Sequence, residues 1–374
     1  MKELPFTRPT LGDEEQVLVQ EVLRSGWITS GGKVLQLEKD LAGFVGGDIE
    51  VRLFNSATSA LEAVLLAANV GPGDEVVVPA MSFVASANVV LRSGATPVFV
   101  DVDLHSRNLD ASSVEAALSS RTRVIMPVHF AGMPADLDPL YRLAGRNSLL
   151  VLEDAAQAIG TAYHGRQIGS AGNPVVFSFH PNKNMTTIEG GAVASADTAL
   201  IRRLQRIRFH GIERDDQGNM VVEEWGGKMN MPDVCAAVGI PQLRKLPDFN
   251  RRRRALAERY LARMPQHPAL VLPADAPGHS WHMFCVCLDH DTIGMSRLQV
   301  IEDFRQKGIT LGIHYPAIHL FALYRRLGYG PGDFPIAERI GDQTLTLPLF
   351  PGMGFDDVDR VCAHFERLLS ARAA

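Results

Sequence analysis

Three stretches of this 374-residue chain carry side chains able to do chemistry together, and each lies next to an apolar run. In 178-SFHPNKNMTTIEGG-191, Lys183 stands between two asparagines just beyond 174-PVVFSF-179. A lysine held there loses hydration, its pKa falls, and the neutral amine condenses with an aldehyde to give a Schiff base. In 151-VLEDAAQAIG-160, Glu153 and Asp154 end an apolar run, where a buried acid needs a cation or hydrogen-bond donors. In 55-NSATSALEA-63, small and hydroxyl residues open a helix. Its N-terminus presents unpaired N–H groups, and Ala57 lets the backbone come close enough to cradle a phosphate. Taken singly, each has an ordinary explanation: a snorkelling lysine, an acid that caps a helix, a plain N-cap.

The elements around them decide whether the three meet. Apolar runs at 50-EVRLFN-55, 75-EVVVPA-80, 97-PVFVDVD-103, 123-RVIMPVH-129, 148-SLLVLED-154, 174-PVVFSF-179 and 191-GAVAS-195 alternate with helix-like segments. That pattern predicts an α/β fold with a mostly parallel seven-stranded sheet covered by helices on both faces. In such sheets the ligand crevice lies beyond the carboxyl ends of the strands, which is where all three stretches fall. Ser56 or Thr58 caps a helix over 59-SALEAVLLAAN-69. A further helix starts at Pro232, and Pro241 within it is expected to kink or end it. The character changes after residue 246: the arginine run Arg251 to Arg254, a Pro-rich stretch, a strand at 281-WHMFCVCL-288, a helix near 296–308 and a strand at 309-ITLGIHY-315. Residues 1–246 are thus read as a large ligand-binding domain and 247–374 as a smaller α+β domain, on which the N-terminal segment is free to pack.

Composition narrows the function classes. A net charge of −5 with acids and bases interspersed offers no basic stripe for nucleic acid, and no apolar run approaches the length of a membrane span. The N-terminus lacks an apolar signal region, and the four cysteines lack metal or redox spacing, so they are read as buried small hydrophobes in a reducing cytoplasm. His314 and His319 are spaced five apart with no carboxylate or cysteine joining them, so no metal is expected. Four consecutive helical arginines point in four directions, so most of Arg251 to Arg254 is expected in solvent rather than on a pyrophosphate. No GxGxxG follows a strand, which disfavours a nicotinamide dehydrogenase. His129 and His180 receive no assignment.

Phosphate cup, carboxylate and lysine are together what pyridoxal 5′-phosphate (PLP) requires: the carboxylate keeps the ring nitrogen protonated, and the lysine anchors the aldehyde and moves protons. Ordered blocks including 25-SGWITSGGKVLQLEKDLAGFVG-46, 56-SATSALEAVLLA-67, 79-PAMSFVASANVV-90, 153-EDAAQAIG-160, 178-SFHPNKNMTTIEGG-191, 228-KMNMPDVCAAVG-239 and 347-LPLFPGM-353 resemble the DegT/StrS family of sugar-nucleotide aminotransferases, over nearly the whole chain. The resemblance implies the aspartate-aminotransferase fold (PLP fold type I) and a homodimer with shared active sites. It implies that Lys183 forms the internal aldimine and carries the proton shift, that Asp154 pairs with the pyridinium nitrogen, and that Gln157 lies near the ring hydroxyl. Phe83 would stack on the ring. Ala57, Thr58 and Ser178 would hold the phosphate, with Asn230 from the other subunit.

The same resemblance implies L-glutamate as amino donor and a nucleotide-linked keto sugar as acceptor, with Trp27, Thr29, His314 and His319 near the sugar. By 4-LPFTRP-9, 25-SGWITSGG-32 and 280-SWHMF-284 the chain is most similar to the subgroup that makes UDP-4-amino-4-deoxy-L-arabinose for lipid A, which implies amination at C4. It departs from that subgroup at Phe83, where a tryptophan is expected, at Gln157, where a histidine is expected, and in a shorter segment between His210 and Lys228. Three other readings compete: a 3-keto sugar aminotransferase, a sugar dehydratase, and a non-catalytic sensor on the same fold. Lys183 argues against the dehydratase, since dehydrating members carry histidine there.

Overall fold

The computed structural model describes residues 3–370. Seven strands form one mixed sheet in the spatial order Thr96–Val100, Glu75–Pro79, Thr122–Ile125, residues 150–154, Val175–Ser178, Gly191–Ser195, Glu50–Phe54. Residues 150–154 bridge the two halves: Leu152 N–H donates to Ile125 O on one side, at 3.0 Å, and Glu153 N–H to Pro174 O on the other, also at 3.0 Å. Six strands run parallel, and Gly191–Ser195 is antiparallel to both of its neighbours. Continuous Val, Ile and Ala runs suit strands buried on both faces, and apolar layers lie on each side of the sheet.

A buried ion pair fixes the edge strand that leads into the site. Arg208 bonds Glu38 and, at 2.9 Å, Leu53 O, while Glu38 Oε1 accepts Leu53 N–H, also at 2.9 Å. The helix Gly32–Val45, the strand Glu50–Phe54 and the end of the helix Thr198–Ile207 are thereby joined. Removing one member would strand the other charge in the core, at a cost of about 3–5 kcal/mol.

Pro241 does not end its helix. A single helix runs Asp233–Arg263 with both Pro241 and Pro247 inside it. Its first half packs along the helices Asp13–Ser25 and Gly32–Val45, and Pro241 itself is buried. Tertiary burial of this kind outweighs the roughly 3 kcal/mol that an interior proline costs. The expected boundary at residues 246 and 247 therefore falls within a continuous helix. A second apolar cluster gathers Leu256 and Tyr260 of that helix with residues up to Leu369, and with Leu4 from the N-terminus. Leu4 is held there by Leu4 N–H to Gly308 O at 2.8 Å and Thr310 N–H to Leu4 O at 2.9 Å.

The sheet of this second unit has three strands, Leu270–Val271, Phe284–Leu288 and Thr344–Leu347. The strand expected at 309–315 is not formed. Its backbone makes isolated bridges, Leu4 with Ile309 and Gly312 with Thr346, and Thr344–Leu347 occupies the sheet position beside Phe284–Leu288. Of the arginine run only Arg251 is exposed, so the expectation that most of it lies in solvent is not met: Arg252 and Arg254 are half-buried, bonding Met353 O at 2.6 Å and Asp275 at 3.3 Å, and Arg253 points inward and is 2% exposed. No helix among the described residues is long and apolar enough to cross a membrane, and none of their His, Cys, Asp and Glu side chains form a metal-binding group. Cys285, Cys287 and Cys362 are buried thiols; Cys235 is half-buried.

Candidate active site

Strand register assembles the cup. Phe54 pairs with Gly191, and Gly191 pairs with Ser178, so the ends of three neighbouring strands lie side by side. Beyond Phe54 the chain turns through Ser56, whose extended backbone and side chain cap the helix Ala57–Ala67 by accepting Ser59 N–H at 3.1 Å. Ser56, rather than Thr58, is the cap. The N–H groups of Ala57 and Thr58 have no partner within the helix, by the geometry of any helix start. At Gly191 an added Cβ would lie 2.4 Å from Ala57 N and 2.6 Å from Ser56 C, so only glycine permits this approach of strand to helix start.

Asp154 ends the neighbouring strand, and Lys183 lies five residues beyond Ser178 in the loop that follows the strand Val175–Ser178. Asp154 is 5% exposed; its Oδ2 accepts the Ser86 hydroxyl at 2.7 Å and its Oδ1 accepts Ala156 N–H at 3.1 Å. Burial pushes its pKa up, opposed by these donors and by the nearby Lys183. Burial also lowers Lys183 to about 8, against the pull of Asp154. Among the described residues the Lys183 ammonium has no hydrogen-bond or ion-pair partner. Its backbone is fixed by Lys183 N–H to His180 O at 2.8 Å, and the following Asn184 side chain bonds Ser280 O at 2.9 Å and Asn250 at 2.8 Å.

One cavity of about 310 Å³ brings most of the expected residues together: Ala57, Thr58, Phe83, Asp154, Gln157, Ser178, Lys183 and His314 all line it. The Gln157 carbonyl oxygen accepts Ala131 N–H at 2.7 Å, so its amide NH₂ is the end left for the cavity. Phe83 is half exposed, with its ring 5.6 Å from that of Tyr315 on the same wall. His314 bonds Thr346 Oγ1 through Nδ1 at 2.7 Å, and burial beside Lys183 pulls its pKa down to about 4.

Four expected residues stand elsewhere. His319 is fully buried with Nε2 on Glu338 at 3.0 Å and does not reach the cavity, which corrects its assignment to the sugar. Asn230 does not line the cavity of its own chain; its side chain bonds Ser30 at 2.6 Å and Lys228 at 2.8 Å. Trp27 is 61% exposed, and Thr29 gives its carbonyl to Asp233 N–H at 3.2 Å; neither lines the cavity. His129 is a fixed structural residue. Ala135 N–H donates to its Nδ1 at 3.0 Å, which leaves Nε2–H to donate to Glu153 at 3.0 Å. His180 does line the cavity and bonds Asn182 at 2.8 Å. Ser86 was missed, since a lone serine in a helix gives no signal of what it faces. Tyr315 was overshadowed by its histidine neighbours.

The unpaired groups fit PLP. The free N–H groups at Ala57 and Thr58, beside the Ser178 hydroxyl, suit a phosphate. A carboxylate buried without a hydrogen-bonded cation suits a pyridinium N–H, and an unpartnered amine at its side suits an aldehyde. Bound there, PLP supplies an electron sink that acidifies the α-carbon of an amino donor.

Comparison with known proteins gives the same reading. Spore coat polysaccharide biosynthesis protein SpsC of Bacillus subtilis is 39% identical over 370 residues, covering 96% of this chain and 95% of its own. A Streptococcus pneumoniae protein described as a sugar aminotransferase, Spr1654, superposes in its apo form with a TM-score of 0.93 at 30% identity, covering 100% of this chain and 99% of its own. That protein is also known in PLP and PMP forms. DesV of S. venezuelae, in complex with a ketimine intermediate, superposes at 0.91 with 34% identity over 98% of this chain and 99% of its own. Residues 9–366 match the DegT/DnrJ/EryC1/StrS aminotransferase family. The chain belongs to that family and is a PLP-dependent transaminase of fold type I.

Proposed function

We propose that this transaminase moves an amino group from L-glutamate to the C4 keto group of a nucleotide-linked deoxysugar, in two half-reactions. Glutamate leaves its amino group behind and departs as 2-oxoglutarate; the keto sugar then takes that amino group up. The observation that carries the reading is the unpaired Lys183 amine, beside the buried Asp154 carboxylate, in a cavity that opens onto the cup at Ala57 and Thr58.

Each residue then has a task. Ala57 and Thr58 N–H and the Ser178 hydroxyl bind the phosphate, joined by Asn230 from a second copy of the chain in a homodimer with shared sites. Asp154 holds a proton on the ring nitrogen; Gln157 donates its amide to the ring hydroxyl; Phe83 covers the ring face. The Lys183 amine takes the proton from the donor's α-carbon and returns it on the far side of the shift. His314, on the same wall as Tyr315, meets the sugar, and the exposed Trp27 and Thr29 do so across the dimer.

SpsC and the other sugar-related relatives support a sugar acceptor. The nucleotide carrier is read from the resemblance to the family, and C4 and a pentose from the resemblance of 4-LPFTRP-9, 25-SGWITSGG-32 and 280-SWHMF-284 to the lipid A subgroup, from which the chain departs at Phe83 and Gln157. A panel of nucleotide-linked 4-keto and 3-keto sugars with glutamate, scored by mass for replacement of C=O by CH–NH₂, tests the reading. Turnover of 3-keto substrates alone would move the amination to C3. Loss of water without amine incorporation would make the chain a dehydratase.

A further inference from the structure

Glu153 and His129 are fully buried and do not line the cavity that holds Lys183, yet their bonds lead to a residue that does. Successive residues of a strand face opposite ways, so Asp154 turns to the cavity and Glu153 to the other side of the sheet. There the Tyr141 hydroxyl donates to Glu153 Oε1, and His129 Nε2–H donates to Oε2 at 3.0 Å. The second ring nitrogen, Nδ1, accepts Ala135 N–H at 3.0 Å. The imidazole therefore ties residue 129 to residue 135, and Glu153 holds the imidazole.

The loop closed in this way carries Ala131. Its backbone is left-handed, with φ 55°, which a residue bearing a Cβ keeps only where its surroundings hold it. Asn108 Oδ1 accepts Phe130 N–H at 2.9 Å, and Ala131 O accepts His282 N–H at 2.8 Å. The Ala131 N–H is left for Gln157 Oε1, at 2.7 Å. The two ends of a carboxamide are nearly alike in shape, so it is this N–H that decides which end faces the cavity. A reversed Gln157 would present an acceptor where the ring hydroxyl needs a donor. Hydrogen bonds and backbone thus run from Tyr141 through Glu153, His129 and the loop 129–135 to Gln157.

We propose that Glu153 and His129 are positioning residues for cofactor binding, holding the loop 129–135 so that Ala131 N–H sets the direction of the Gln157 amide. The assignment rests on the reading of Gln157 at the ring hydroxyl. Two measurements test it without turnover: titration of apo-protein with PLP, read by absorbance, and deuterium uptake of the peptide spanning residues 129–135, read by mass spectrometry. Glu153→Leu leaves two buried donors unpartnered and should raise the dissociation constant about tenfold, with faster uptake in that peptide. Glu153→Gln keeps an acceptor for His129 and offers its NH₂ to the Tyr141 oxygen, and should stay within about twofold of wild type. In a Gln157→Ala protein, Glu153→Leu should add less than about twofold, because the group it positions is gone.

Tyr141→Phe removes one donor from a half-buried ring and repeats the comparison if Glu153→Leu does not fold. It should raise the constant about threefold in the wild-type background and leave it unchanged in Gln157→Ala. Effects that multiply with Gln157→Ala, or wild-type deuterium uptake in Glu153→Leu, would overturn the proposal. So would a tenfold loss in Glu153→Gln, which would assign the effect to charge rather than to position. Wild-type affinity in Gln157→Ala alone would show instead that the Gln157 reading has failed, and the proposal with it.

Discussion

The Ser86 hydroxyl donates to Asp154 Oδ2 at 2.7 Å, and Ser82 lies 3.1 Å behind Ser86, so a short chain of hydroxyls aims one carboxylate oxygen from below. With Ala156 N–H on the other oxygen, the carboxyl plane is held while its outer face looks into the cavity. Ser86 acts through Asp154. Ser86→Ala should lower the rate of the glutamate half-reaction about 10-fold to 100-fold, the loss of one charge-assisted hydrogen bond. Asp154→Asn should do more, and the ratio of the two, from single-turnover traces, checks the order.

Lys183 sets a pH dependence for cofactor uptake. Its folded pKa, about 8, lies below the ordinary 10.5, so the amine is neutral above pH 8 and charged below it. Uptake of PLP by apo-protein should rise about fivefold from pH 7 to pH 8 and less than twofold from pH 8 to pH 9, following the neutral fraction. A solvated lysine would keep rising about tenfold per pH unit through this range. The linkage has a matching sign: between pH 8 and 10.5 the unfolded chain holds a proton that the native apo-protein lacks, so apo-protein stability increases across that window.

Gln157 is oriented by Ala131 N–H, which demands an acceptor at its oxygen. Gln157→Glu keeps that acceptor and removes the donor that faces the cavity. The dissociation constant for PLP, titrated by absorbance, should rise about tenfold, the price of one hydrogen bond plus a like charge near Asp154.

His319 is packed in the apolar layer of the large sheet, against Phe334 and next to Ile318, whose N–H donates to Ala80 O at 2.7 Å. His319→Asn would break the bond to Glu338, which also accepts Gly332 N–H at 2.8 Å. Stability should fall by about 1–3 kcal/mol in thermal melts, while kcat/KM at a permissive temperature stays within about twofold of wild type.

Much of the frame was legible because its signals are local. The seven Val- and Ile-rich runs became the seven strands of one sheet, since a strand buried on both faces needs little more than an apolar run between breakers. The failures are all cases where distant packing decides. Pro241 stays helical because two N-terminal helices cover it, and 309-ITLGIHY-315 yields its sheet position to Thr344–Leu347, which pairs with Phe284–Leu288 over four residues. Arg253 looked like one of four solvated arginines; nothing in its neighbours along the chain shows that three carbonyls from other segments converge on it. In the cavity, most residues singled out follow a strand end, whereas Ser86 comes from a helix, and Tyr315 with its neighbour His314 from an irregular loop.

Borohydride reduction of the holoenzyme followed by peptide mass mapping tests the central claim most directly. A phosphopyridoxyl mass on the peptide that contains Lys183, and its disappearance in a folded Lys183→Ala protein, is the expected result. The same mass on another lysine, or on none, would contradict the account.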